Sequence, residues 1–429
     1  MKKAGIISLG CPKNRVDSEH ILGLLKFNGF ALTNNVEEAD YVFINTCGFI
    51  TDSKKESINT ILENINNDKK VIVTGCLVER YLEQLKEEIP EVDLWIPIKD
   101  YPIFSKRLKE VDPSIKINNG LDYHLRILSS GPFTAYLRIG EGCSNHCSYC
   151  AIPLIRGEYV SRSLKETVEE ARHLASIGIK ELVVLEQDTT KYGLDFRDGT
   201  TIVTLLKELL KIEGFEYIRL LYLYPDEISD ELIDLIAKEE RLTTYFDIPI
   251  QHSEDHILKA MNRRGNKQDL LNLFNKIRTR VPHSIIRTTL MLGFPGETEE
   301  DVDNLISFMK EVKFDHVGAF TYSREEDTPS YDMEDQIEEE VKQARLDKVM
   351  KAQQAISYHN NKAHIGTMME GLIFAKEHNH YLLRSYFNAP DDIDGKIIVD
   401  SSRPLMIGEK VKVKITDAFV YDLMGEVID

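Results

Sequence analysis

The sequence predicts an α/β chain in three parts: an open parallel sheet domain, a partial (β/α)6 barrel and a small terminal β-barrel of the oligonucleotide-binding type. Three observations predict it. Short apolar runs alternate with amphipathic helical stretches over residues 1–118, strand-then-helix units repeat six times through the middle, and short alternating strands replace helices after Gly366. At 429 residues the chain is also too long for one ordinary hydrophobic core, so several domains are required.

In the first domain, residues 1–118, "AGIISL", "YVFIN" and "VIVTG" read as strands, while "SEHILGLLKFNGF" and "SKKESINTILENINN" carry apolar residues at helical spacing. A polar connection, "PSIKINNGLDYHLRILSSGP", leads to the middle domain, residues 131–362. There the strand-like runs are "TAYLRI", "ELVVLEQ", "YIRLLYL", "TYFDIPI", "SIIRTTLML" and "HVGAFTY", separated by helical patterns such as "SLKETVEEARHLASIG" and "DVDNLISFMKEV". Six units, where a closed barrel has eight, predict an incomplete one. The charged stretch "EDQIEEEVKQARLDKVMKAQQAISYHNN" reads as a helix, and the tail domain, residues 363–429, ends in the alternating "EKVKVKITDAFVYDLMGEVI".

Composition limits the function classes. A hydrophobic share of 42% and a charged share of 29% are those of a soluble globular protein. No run approaches the roughly 18 apolar residues of a membrane span, and the opening "MKKAGIISLGCPKNRVDSEH" has no small-residue cleavage site, so a cytoplasmic, membrane-free protein is expected. The formal charge of -18 argues against broad electrostatic capture of nucleic acid. Six cysteines are too few to staple a chain this long, and in a reducing compartment they point to metal binding or catalysis.

Three of those cysteines, Cys143, Cys147 and Cys150, fall within "CSNHCSYC", in the loop after the first barrel strand, on the rim where barrel enzymes place their chemistry. Thiolates are soft donors that suit zinc or iron-sulfur sites. Zinc takes four closed ligands, with His146 or a distant residue as the fourth. An iron-sulfur cube held by only three thiolates keeps one iron open to a small molecule. The other three, Cys11, Cys47 and Cys76, each end a predicted strand: "AGIISLGC", "YVFINTC" and "VIVTGC". The carboxyl ends of parallel strands line one crevice, so thiols distant in sequence can converge there, with Gly10, Gly48 and Gly75 permitting tight turns beside them. Taken singly, each reads as a small buried hydrophobe. Together they read as a second three-cysteine site.

The C-x3-C-x2-C spacing, with an aromatic before the last cysteine and at the end of the first strand of a partial barrel, resembles the radical S-adenosylmethionine enzymes. In that superfamily the open iron chelates the methionine part of the cofactor, and one electron from the cluster cleaves its carbon-sulfur bond to give a 5'-deoxyadenosyl radical. Three plus three cysteines in this domain order resemble, along essentially the whole chain, the methylthiotransferases. These have an N-terminal cluster domain, a central radical domain and a C-terminal TRAM domain. The resemblance implies two 4Fe-4S clusters, on Cys11, Cys47 and Cys76 and on Cys143, Cys147 and Cys150, together with S-adenosyl-L-methionine. The first cluster carries or activates the sulfur and the second makes the radical. An electron donor and a sulfur donor are implied partners.

The family has two substrate branches, adenosine in tRNA and the β-carbon of an aspartate in the twelfth small-subunit ribosomal protein. "SLGCPKNRVDSE" resembles the ribosomal-protein branch, where the tRNA branch reads Gln-Met-Asn after the first cysteine, and "EQDTTKYG" at 186–193 resembles it as well. From Gly366 onward seven Lys or Arg face eleven Asp or Glu, a balance that repels a polyphosphate and suits a basic ribosomal protein, free or within the ribosome; tRNA ranks second. Among rim residues, Tyr149 occupies the position where related enzymes pack the adenine. Gln187 and Asp188 after the second strand, Gln251 and His252 after the fourth and Arg287 in the fifth are expected by location to reach cofactor or substrate. "LGFPGETEED" has the residues of a strand-to-helix turn, and Glu297 in it is given a turn role and no chemical one.

Overall fold

A computed structural model describes residues 2–65, 68–118, 120–391 and 393–428. The chain divides into two compact units: Met1–Ser129 with Gly140–Val160 and Ser323–Tyr331, and Ser130–Ile139 with Ser161–Tyr322 and Asp332–Asp429.

In the first unit, β1 (Lys3–Ser8), β2 (Ala31–Leu32), β3 (Tyr41–Thr46), β4 (Lys70–Gly75) and β5 (Leu94–Ile96) are all parallel, in the order β2-β1-β3-β4-β5. Tyr41 and Phe43 point into one apolar cluster with Ile21, Leu24 and Leu25, while Val42 and Ile44 enter another with Ile61, Leu77 and Val78. A sheet covered on both faces has no polar alternation to show, which is why "YVFIN" reads as a continuous apolar run. The helices are α1 (Pro12–Phe27), α2 (Thr51–Asn64) and α3 (Cys76–Glu88). Helix α1 begins at Pro12, ahead of the periodic stretch that opens at Ser18, because proline is already set for the first helical position. Helix α2 stops at Asn64, and residues 66 and 67 of the stretch assigned to it lie outside the described residues.

Two polar ties hold this unit. Glu19, fully buried on α1, accepts from Arg126 Nε at 2.8 Å and from the Ser129 amide at 2.7 Å, so the polar connection is pinned to the sheet domain. Glu325 Oε2 accepts from Arg80 Nη1 at 2.7 Å and from Lys54 Nζ at 2.8 Å, and Arg80 Nη1 also donates to the Gly48 carbonyl at 3.2 Å. The same segment reaches the cysteine loop, where the Ser330 amide donates to the Ser148 carbonyl at 2.9 Å.

The second unit carries the six expected barrel strands. Thr134–Arg138 (here β6), Glu181–Leu185 and Tyr217–Leu220 form one parallel sheet; Tyr245–Asp247, Ile285–Leu292 and His316–Thr321 form another, with an isolated bridge from Ile218 of the third strand to Leu242, just ahead of the fourth. The third and fourth strands are shorter than their apolar runs. Tyr222 leaves the extended region at φ 60°, and the fourth strand stops at Asp247, ahead of Pro249, which has no amide to donate to a ladder. A helix over Glu339–Ala363 leads to five strands, Met368–Glu377, His380–Arg384, Ile397–Asp400, Lys410–Ala418 and Leu423–Val427, that close into a barrel.

This small barrel is fastened to the first residues of the middle strands. Arg219, with no exposed side-chain surface, donates to Glu181 Oε1 at 3.0 Å and to the Ser385 carbonyl at 2.6 Å, and lies over the Tyr245 ring. Tyr245 OH donates to Asp394 Oδ2 at 2.7 Å, and a ring nitrogen of His316 meets the Phe387 carbonyl at 2.8 Å. Among the described residues no helix is long and apolar enough to cross a membrane.

Burial alone would raise the Glu325 carboxyl, but Lys54, Ser323 and Arg80 hold it below the usual carboxylate range. A depressed carboxyl stabilises the fold above the unfolded value of about 4.3 and loses that contribution as pH falls below it. Glu325→Gln is therefore expected to cost about 3 kcal/mol near neutral pH, since it leaves two cations without their anion, and to flatten the pH dependence of unfolding below about pH 4.3. Denaturant melts of both chains from neutral to acid pH check this, and parallel curves would refute it.

Candidate metal centre

The sheet order brings the first three cysteines together. Strands β1, β3 and β4 are neighbours, and Cys11, Cys47 and Cys76 follow their carboxyl ends at Ser8, Thr46 and Gly75. The chain direction across the sheet reverses between β1 and β3, the place where open sheets hold ligands. The loops meet backbone to backbone. Gly10 has φ 86°, and a Cβ there would lie 2.9 Å from Cys47 Cβ and 3.1 Å from its Sγ; a Cβ on Gly48 would lie 2.7 Å from Leu77 Cα. Only glycine fits either place.

One side chain spans all three loops. Asn14 Nδ2 donates to the Leu9 carbonyl at 3.0 Å and to the Thr46 carbonyl at 2.9 Å, and Asn14 Oδ1 accepts from Cys76 Sγ at 3.4 Å. Ser57 on α2 fixes the Cys47 backbone at both ends, accepting from its amide at 3.0 Å and donating to its carbonyl at 2.9 Å. Cys11 is the residue before α1 and Cys76 the first residue of α3, so two thiols sit where the helix dipole favours negative charge.

The protonation of these thiols follows from burial. Burial raises the Cys47 thiol, against hydrogen bonds from Phe49 and Ser53 that lower it. Burial pushes Cys76 up to about 12; Arg156 lowers it, and Cys11 and Cys47 raise it further. Burial therefore favours the protonated forms of Cys47 and Cys76, and a metal that binds them releases those protons. Among the described residues no three His, Cys, Asp or Glu are gathered closely enough to hold a single metal ion. One tetrahedral zinc would draw its thiolates within about 4 Å of each other. A four-iron cube takes each thiolate on a separate iron, and three thiols at the ends of three neighbouring strands are soft donors of the kind it uses.

The second triad follows β6. The Cys143 amide donates to the Gly157 carbonyl at 3.0 Å, and the Cys150 amide closes a turn on the Cys147 carbonyl at 3.0 Å. Cys147 and Tyr149 are buried, and Ala151 and Ile155, just beyond, pack into the apolar cluster of α1 and the sheet. His146 has φ 50°, and its half-exposed ring has Nε2 3.4 Å from Glu158 Oε1.

Arg156 enters the first triad from this second segment. Its Nη2 donates to Asn14 Oδ1 at 2.7 Å and Asp17 Oδ2 at 2.9 Å and lies 3.6 Å from Cys76 Sγ, while Nη1 donates to Glu141 Oε1 at 3.1 Å. Sequence reasoning passed over Asn14, Asp17 and Arg156. The available signal was the polar run "PKNRVDSE" directly after Cys11, whose buried members Asn14, Asp17 and Ser18 share one helical face. Amphipathic reading assigns such a face to solvent.

The barrel residues of the second unit lie as follows. Gln187 follows Glu181–Leu185 and its amide donates to Glu186 Oε1 at 2.9 Å; Asp188 beside it is buried and accepts from Thr190 Oγ1. Gln251, buried at φ 69°, is held by its amide on the Thr289 carbonyl at 2.9 Å, and its Oε1 has no hydrogen-bond partner among the described residues. His252 Nδ1 accepts from the Glu254 amide at 3.1 Å, which leaves Nε2 to carry the proton, 3.5 Å from Glu297 Oε2. Glu297 Oε1 in turn accepts from the Gly293 amide at 2.9 Å and Arg345 Nη1 at 3.0 Å, a turn-holding use. Arg287, expected near cofactor or substrate, lies early in its strand, with Nη1 3.0 Å from Asp247 Oδ1 and Nε 3.4 Å from Asp394 Oδ1, where it joins the fastening of the small barrel.

Three family models match: the uncharacterized protein family UPF0004 over residues 3–97, the radical SAM superfamily over 137–309 and the TRAM domain over 365–428. The chain is 47% identical over 430 residues to the ribosomal protein uS12 methylthiotransferase RimO of Alkaliphilus oremlandii (strain OhILAs), covering 98% of each chain. It is also 47% identical to RimO of Clostridioides difficile (strain 630), covering 100% of this chain and 99% of that one. The chain belongs to the RimO family of methylthiotransferases. RimO membership makes it an enzyme of the radical S-adenosylmethionine class. In fold it is similar to the radical S-adenosylmethionine methyltransferase TsrM from Kitasatospora setae, with a TM-score of 0.54 at 16% identity over 77% of each chain. It is similar as well to the cobalamin-dependent radical enzyme OxsB, with a TM-score of 0.53 at 11% identity over 82% of this chain and 56% of that one.

Asn14→Ala removes the amide that joins the three loops and is expected to cost about 2–3 kcal/mol, because the buried Thr46 carbonyl and the partly buried Leu9 carbonyl lose their donor. In a full-length chain with Cys143, Cys147 and Cys150 replaced by Ala, the same change should lower the iron retained. Iron assay and thermal melts check it, and unchanged values in both would refute the bridging role.

Proposed function

We propose that this chain is the methylthiotransferase of ribosomal protein uS12, replacing a hydrogen on the β-carbon of one aspartate with SCH3. The full-length match to RimO relatives supports the enzyme class and the ribosomal protein substrate. The observation that carries the two-cluster reading is the convergence of Cys11, Cys47 and Cys76 on one crevice, in the same chain as the C-x3-C-x2-C loop.

In this reading two 4Fe-4S clusters are held, one by each triad, with S-adenosyl-L-methionine at the Cys143, Cys147 and Cys150 site. These groups supply a one-electron reduction, a hydrogen-abstracting species, and the sulfur and methyl that are transferred. The chain's own work is placement and exclusion of water. Tyr149, buried beside Cys150, is the side chain proposed to pack the adenine, and Gln251, with a buried oxygen lacking a partner, is proposed to bind the cofactor together with Gln187. Asn14, Ser57 and the glycines hold the first triad open at a fixed spacing, so that sulfur is presented without rearrangement of the loops. The acidic tail suits a basic ribosomal protein, and an electron donor and a sulfur donor complete the partners, all in the cytoplasm.

Iron, sulfide and absorption, measured on protein reconstituted without oxygen, test the division of labour. The unaltered chain should carry about eight irons, and each triple-Ala variant about four. The Cys143, Cys147 and Cys150 variant should lose cofactor cleavage, while the Cys11, Cys47 and Cys76 variant should keep cleavage and give no product. With uS12 as substrate the product should gain the mass of one sulfur and one CH2. Full product from the second variant would falsify the two-cluster reading, and modification of tRNA in place of uS12 would overturn the substrate.

A further inference from the structure

Arg156 belongs to the segment that follows one cysteine triad, yet its guanidinium ends in the other. The residue is buried, with 1% of its side chain exposed, and its anchor Asp17 is wholly buried. Its Nη2 group is 3.6 Å from Cys76 Sγ and 2.7 Å from Asn14 Oδ1, the same oxygen that accepts from Cys76. The next residue, Gly157, has φ 74° and gives its carbonyl to the Cys143 amide at 3.0 Å. One short turn therefore touches a cysteine of each triad, with a fixed positive charge on one side and a backbone acceptor on the other.

We propose that Arg156 is a positioning residue that places a permanent positive charge against Cys76, and thereby sets the reduction potential of the group bound by Cys11, Cys47 and Cys76 and ties that site to the radical loop. The inference rests on the reading that this triad holds an iron-sulfur cluster. Iron-sulfur potentials depend on net charge and on hydrogen bonds to the sulfurs, and outer groups that orient ligands tune the metal. Adding one electron makes the site more negative, and a guanidinium donating toward the thiolate sulfur favours that state. Asp17 and Glu141 moderate the effect, Asp17 from full burial and Glu141 from a partly exposed position at 3.1 Å. A guanidinium keeps its charge in proteins, and Asp17 and Glu141 pair with this one, so no bond or proton changes hands there.

The test is a dithionite titration followed by electron paramagnetic resonance. It uses the full-length chain with Cys143, Cys147 and Cys150 replaced by Ala, so that only the first site reports. Arg156→Gln should shift the midpoint to lower potential by at least a tenfold change in the equilibrium, about 59 mV for one electron, while Arg156→Lys should stay closer to the unaltered background. Glu141→Gln, which removes a moderating anion from a partly exposed position, should shift it the other way and remains informative if Arg156→Gln fails to fold. Iron at normal occupancy with an unmoved midpoint in the variants that fold overturns the inference alone. Absence of iron from the background chain overturns it together with the two-cluster reading.

Discussion

The amide of Asn14 is the point on which the first cysteine site depends. Its nitrogen satisfies carbonyls from the loops that carry Cys11 and Cys47, and its oxygen meets Cys76 and Arg156. Three thiols from distant parts of the chain would repel one another once deprotonated, and burial already disfavours the charged forms of Cys47 and Cys76. A neutral, rigid group that both donates and accepts can hold such loops at fixed distance without adding charge. The glycines at positions 10 and 48 serve the same end by letting backbones approach where a methyl would collide.

This explains an inversion in the first unit. The inner face of α1 near its start is largely polar, with Asn14, Asp17, Ser18 and Glu19 all buried beside Val16, and its run of apolar residues begins at Ile21. Buried polar groups are tolerated when each has a partner, and here the partners are the cysteine loops, Arg156, Asn45 and the Arg126 connection. A helix that would be weak by apolar burial alone is thereby fixed at its most important end. The segment Ser323–Tyr331 adds a second brace through Glu325, which reaches the Gly48 loop by way of Arg80.

Much of this was legible in the sequence, for identifiable reasons. Strands buried on both faces write continuous apolar runs, so β1, β3 and β4 and the six barrel strands could be placed, and cysteines at strand ends could be assigned to a crevice. The C-x3-C-x2-C spacing needed only local reading. What could not be read was the contact between segments far apart in the chain. The polar run after Cys11 carries no local sign that it is buried, and nothing local to Arg156 reports that it ends beside Cys76. Arg287 shows the complement: an arginine in a barrel strand suggests a ligand contact, but whether it lies at the first or last turn of its strand is decided by register, and here register gives it to Asp247 and Asp394.

The fastening of the small barrel carries its own consequence. Arg219 is fully enclosed, and one of its acceptors is the backbone carbonyl of Ser385, supplied by the tail; Tyr245 and His316 likewise take partners from Asp394 and Phe387. The tail thus completes the packing around the first residues of the middle strands, and buried groups of those strands depend on it for their partners. A tail grafted from another protein would leave Arg219, Tyr245 and His316 without these acceptors unless it offered matching groups at the positions of Ser385, Asp394 and Phe387.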